Sequence, residues 1–128
     1  MSSTVLWSNP SPNQESDYAS GREDNKYVLK LSQSIDNFEF IRIRWRPSLN
    51  GSTYNDAYIT DIYIPVAQFR NNQVAPTDSS GYYTPFVYFG CYDGSSQCLQ
   101  YKNSTTLNIY GQYPRYGAIL NVYGCNFN

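Results

Sequence analysis

Hydrophobic and polar residues alternate with a period of two along much of this chain. The clearest run is 38–46 (FEFIRIRWR), where Ile41, Ile43 and Trp45 fall on one side and Phe40, Arg42, Arg44 and Arg46 on the other. That is the pattern of a strand with one face in a core and the other solvated or paired. Shorter runs that read as strands lie at 4–7 (TVLW), 27–31 (YVLKL), 57–66 (AYITDIYIPV), 84–92 (TPFVYFGCY), 97–101, 105–110 and 118–127 (AILNVYGCNF). In 57–66, Tyr58, Thr60, Ile62, Ile64 and Val66 share a face, and Pro65 marks the strand's end or an edge position. Pro47 closes the long strand, and turn-forming residues separate the others. The polar run 8–25 is too poor in apolar residues to be regular structure, and 71–81 reads as a second long loop. About eight short strands at nearly even spacing predict an all-β fold, an antiparallel β-sandwich of jelly-roll-like type. No internal repeat, heptad or helix longer than a turn is visible, and the length makes 1–128 a single domain.

Composition sharpens this. Fourteen Tyr and thirteen Asn stand against three Lys, three Glu and five Ala, with no His. Strong helix formers are scarce, and residues suited to a pleated surface or a turn abound. The formal charge of −1 lacks the positive excess that a nucleic-acid or anionic-membrane binder needs, so neither partner is expected. No stretch has the roughly 18 apolar residues that span a bilayer, and the N-terminus resembles no secretory signal. A chain of this kind is expected to fold in a reducing cytoplasm. Three dispersed cysteines fit that compartment. Cys91 and Cys98 flank YDGSSQ, so a hairpin turning at Gly94-Ser95 would set them opposite one another, either bridged or as two buried thiols.

The candidate chemistry is thin. Without histidine there is no Ser-His-Asp or Cys-His nucleophile and no His-ligated zinc. The cysteines lack paired metal spacing, no glycine-rich phosphate cradle is present, and the stretch around Asp93 offers one carboxylate. The expectation is no metal, no cofactor and no catalytic residues. Two-carboxylate glycoside hydrolysis remains the one histidine-free route, through Asp56, Asp61, Asp93 or Glu39. Glu39 and Asp61 occupy alternating strand positions where a carboxylate usually marks an outer face.

Tyr, Asn, Ser and Gly in loops suit binding. Aromatic rings pack on the C–H faces of sugars, amides and hydroxyls satisfy sugar hydroxyls, and the same residues build protein-binding paratopes. The matching segments are 50–58, 78–83 (DSSGYY) and 110–116 (YGQYPRY). They nominate Tyr54, Tyr58, Tyr82, Tyr83, Tyr113, Arg115 and Tyr116 as ligand-binding residues. The plainer alternative is that such tyrosines pack between sheets with the hydroxyl at the rim. Arg42, Arg44 and Arg46 on one strand face suit an outer face or a subunit interface.

The opening VLWSNPSP, the strand ending LKLS (29–32), the DNFEFIRIRWR strand and IYIPVAQF (62–69), in this order, resemble the small C-terminal domains of tailed-bacteriophage tail-fibre and receptor-binding proteins. From residue 71 onward no motif matches. The resemblance implies a β-sandwich head on a homotrimeric fibre in the virion tail, folded in the host cytoplasm and recognising a host-surface carbohydrate or protein. It carries over no catalytic residue. The alternatives are a structural decoration or baseplate subunit, whose tyrosines would cluster at subunit seams, and a carbohydrate-binding module of a polysaccharide-degrading system.

Overall fold

The alternation at 38–46 becomes a strand whose inward side chains, Ile41, Ile43 and Trp45, are buried as the pattern requires. The computed structural model describes residues 1–9, 21–23, 26–47, 59–90, 96–110 and 117–127. Within them nine strands form two antiparallel sheets: β1 (Ser2–Ser8), β2 (Gly21–Glu23), β3 (Lys26–Lys30), β4 (Phe40–Pro47), β5 (Thr60–Pro65), β6 (Val87–Gly90), β7 (Ser96–Asn103), β8 (Thr106–Tyr110) and β9 (Gly117–Asn126). One sheet runs β1-β9-β4-β5 and the other β2-β3-β8-β7-β6. This is the all-β sandwich that the spacing predicts. The chain crosses between sheets at β1→β2, β3→β4, β5→β6 and β8→β9, and the first, second and last of these set β1 beside β9 and β3 beside β8 in jelly-roll fashion. The pairs β4–β5, β6–β7 and β7–β8 are instead adjacent antiparallel neighbours in one sheet.

A single core fills the space between the sheets. Leu6, Ile41, Ile43, Trp45, Ile64, Ile119 and Val122 of the first sheet meet Leu29, Phe89, Leu99, Tyr101, Leu107 and Ile109 of the second. Trp45 stacks on Phe89 across the layers, ring centres 4.8 Å apart. Two bulges adjust register: one in β1, where Leu6 is the added residue and turns into the core, and one where β9 passes Arg44 and Trp45.

The polar signals near the N-terminus act as ties. Asn9 is buried, and its amide donates to the Ile119 carbonyl at 2.9 Å while its backbone N–H donates to Leu120. Ser32 N–H donates to the Leu6 carbonyl, which links the end of the LKLS motif to β1. Ser34 then caps a 3₁₀ turn (Ile35–Asn37), its hydroxyl accepting from Asp36 N–H.

Two features depart from the sequence reading. A two-turn helix, α1 (Val66–Asn72), occupies the end of the expected strand 57–66 and the start of the loop that follows it. Pro65 breaks the β5 ladder and presets the backbone for entry into the helix, and Val66 and Phe69, three apart, anchor it to the core. Its last-turn Arg70 pairs with Asp36 at 2.9 Å. The second departure is β2, three residues of the polar run that pair with β3 through backbone bonds and need no apolar pattern.

The cysteine hairpin is corrected as well. Tyr88 stands opposite Cys98 and Gly90 opposite Ser96, so the cross-strand position expected for Cys91 belongs to Tyr88. Cys98 and Cys125 are buried, and Cys91 lies outside the described residues. Burial pushes the Cys125 thiol above its usual value, which keeps it protonated and unreactive.

Candidate functional site

Of the nominated segments, DSSGYY is the one the structure describes. It forms a tight turn because Asp78 accepts with Oδ1 from both Ser80 N–H (2.9 Å) and Tyr82 N–H (3.0 Å). Asp78 N–H donates to the Tyr82 carbonyl at 2.8 Å, and Gly81 takes φ +85°, a left-handed conformation that costs other residues energy. Tyr83 N–H then donates to the Tyr101 carbonyl of β7, which fixes the loop beside that strand.

The two adjacent tyrosines part company there. Tyr83 packs toward the core, stacked on Tyr101 with ring centres 6.0 Å apart. Tyr82 is only 2 % exposed and lies beneath the loop, with the Lys102 ammonium 5.3 Å from its ring centre. For Tyr82 the plainer alternative of a packed tyrosine is what the structure shows: its ring is part of the packed structure.

Tyr82 also lines a cleft of about 350 Å³ with Pro76, Thr77, Asp78, Thr84, Pro85 and Gln100. The floor comes from the outward side of the second sheet. Leu99 and Tyr101 face the core, so Gln100 between them faces out, and it is buried together with its cross-strand partner Asn108. Asn108 donates to Gln100 Oε1 at 2.8 Å, which holds the Gln100 amide in place. Thr84 Oγ1 donates to the Pro76 carbonyl and closes one wall. Nothing in the alternation marks Gln100 or Asn108 as covered, because any outward-facing polar residue has the same sequence signal.

A different cluster sits on the outward side of the first sheet. Asp61 of β5 takes Arg44 Nε at 3.0 Å and Nη2 at 3.3 Å, and Arg42 Nη1 at 3.4 Å. The fork of Arg44 holds the Asp61 carboxyl below the usual carboxylate range, and Asp61 in turn raises the Arg44 guanidinium. Asp61 is thus fixed as an anion on an outer face, as its strand position predicts, and is unsuited to deliver a proton. Arg42 lies over the Tyr123 ring at 4.1 Å.

Neither a protein-family model, nor a curated protein, nor a solved structure matches this chain. The site must be read from its own chemistry.

Tyr54, Tyr58, Tyr113, Arg115 and Tyr116 lie outside the described residues, as do Asp56 and Asp93. The strands that bound 48–58 and 111–116 end together, since Pro47 of β4 pairs with Gly117 of β9. The DSSGYY turn is tied instead to Tyr101 and packs near Lys102, toward the far end of β7. Among the described residues, no group of three or more Cys, Asp or Glu side chains could hold a metal ion, and no helix is long and apolar enough to cross a membrane. The cleft is lined by two threonines, a carboxylate, an anchored amide and two prolines, with the buried ring of Tyr82 behind them.

Proposed function

We propose that this domain is a non-catalytic carbohydrate-recognition head of the tail-fibre type, which binds a host-surface glycan. The observation that supports this most directly is the cleft beneath the DSSGYY turn. Its volume lies at the small end of known ligand sites, and it sets the Asp78 carboxylate and the Gln100 amide beside an apolar wall of Pro76 and Pro85, backed by the buried ring of Tyr82. A sugar unit presents the matching surfaces, hydroxyls at its edge and C–H groups on its faces. The resemblance of the segments at 5–12, 29–32, 36–46 and 62–69 to phage receptor-binding domains supports a virion tail as the setting and a trimer as the assembly.

Thr84→Tyr tests the reading. Thr84 is exposed on the cleft wall, so a larger side chain occupies the cleft without entering the core. Screening of purified protein against bacterial surface polysaccharides, followed by calorimetry, should give a ligand whose affinity falls at least tenfold in this variant with a near-normal thermal midpoint. Unchanged affinity would remove the cleft from the reading.

A further inference from the structure

The outward side of the first sheet is a grid set by strand register. One row runs Val5–Tyr123–Arg42–Tyr63, and the next runs Ser8–Asn121–Arg44–Asp61, each drawn from β1, β9, β4 and β5 in that order. Cross-strand neighbours on one face lie within side-chain reach. An aromatic row thus adjoins a polar, charged row on the surface opposite the core. Tyr63 is 52 % exposed and Val5 50 %. Asn121 donates to Ser8 Oγ at 3.1 Å, which orders the polar row at its other end.

The charges do not cancel. Two guanidiniums share the single carboxylate of Asp61, leaving an excess of one positive charge among the described residues of these two rows, in a chain whose net charge is −1. A guanidinium has two edges that can each grip a carboxylate. Arg44 gives its Nε/Nη2 edge to Asp61 and makes no further hydrogen bond among the described residues, while its side chain stays 38 % exposed. Asp61 therefore aligns Arg44 and leaves the Nη1/Nη2 edge available to an anion. Arg42 is held between Asp61 and the Tyr123 ring and supports the arrangement from behind.

We propose that this face is a second binding site, for a carboxylate-bearing saccharide such as a hexuronate or sialate unit. The carboxylate occupies the outward edge of Arg44, the pyranose lies against the half-exposed ring of Tyr63, and Asn121 and Ser8 meet the hydroxyls of the neighbouring unit. The inference rests on the reading of the domain as a glycan binder, but it assigns another face and a charged ligand. An acidic oligosaccharide fits where a neutral one does not, because only the acid neutralises the residual charge.

The test is calorimetric titration of the full chain with tetragalacturonate and with 3′-sialyllactose, against maltotetraose and lactose as neutral counterparts. The expected result is saturable binding of at least one acid, tenfold or more tighter than its counterpart and weakened by salt. Arg44→Gln and Tyr63→Ala should each lower that affinity at least tenfold in protein that remains folded by circular dichroism below its own melting transition, with Arg44→Lys intermediate, since lysine keeps the charge and loses the fork. Equal binding of acid and neutral sugars, or an acid affinity indifferent to Arg44→Gln, overturns the proposal. If Thr84→Tyr abolishes binding while Arg44→Gln does not, glycan recognition stands and this site falls. If no saccharide binds, both fall. A change of solution mass in Tyr63→Ala with no effect on sugar binding would make the face a seam between copies and would equally overturn it.

Discussion

Gly124 shows how one missing methyl group shapes this fold. A Cβ built there would collide with the ring of Phe38, which packs flat against the β9 backbone opposite Ile41 of β4. Gly124→Ala should therefore cost about 1–3 kcal/mol as an overpacking change. Chemical denaturation should show that the cost shrinks when Phe38 is first trimmed to Leu, because the two positions share one space. Trp45 is the converse case. It is buried against Phe89, so Trp45→Ala should cost about 3–5 kcal/mol, and Tyr82→Ala should be comparably damaging for its burial. An unaltered melting curve for either would contradict the packing described. The inward register of Ile41, Ile43 and Trp45 was legible from alternation alone. The burial of Phe40 on the other side was not, because it depends on Tyr63 and Phe127, whose rings cover it from β5 and from the end of β9.

At the level of elements, strands with a strong period-two pattern could be read directly, and those defined by backbone pairing or by context could not. The helix Val66–Asn72 spans too few residues for a 3.6-residue period to separate from the end of a strand, and only Val66 and Phe69 face inward. β2 has no apolar pattern at all. The DSSGYY turn was recognisable from its residues, but sequence could not show that it lies on the second sheet and buries Tyr82 rather than displaying it. Its Gly81 has a φ that L side chains seldom adopt, so Gly81→Ala should lose about 1–2 kcal/mol and Gly81→Asn less. The link between β4 and β5 is sensitive to acid. Because Arg44 lowers the folded value of Asp61, the contribution of this carboxylate is in place above its unfolded value and fades as pH falls through the lower folded one. Thermal midpoints of wild type and Asp61→Asn should differ at pH 6 and begin to draw together only below about pH 4, the ordinary carboxylate range, meeting once the lowered folded value is passed.

For the molecule as a whole, a trimer is the assembly that the fibre-head proposal requires, and light scattering on a sizing column should return three times the 14.7 kDa chain mass. A clean monomer would favour an isolated carbohydrate-binding module.

The pairing of first and last strands has a mechanical consequence. Ser2 sits opposite Asn126, so both ends of the described chain leave from one pole, while the strands flanking 48–58 and 111–116 end at the other. Tension drawn between the two ends would peel β1 from β9 one hydrogen bond at a time, and the domain should open at low force in that direction. A pull on one end, resisted by a contact held on a sheet face, would load many bonds of the sandwich in parallel. The same fold would then be weak when stretched between its own ends and strong when anchored by one of them, the loading that a particle tethered to a surface imposes.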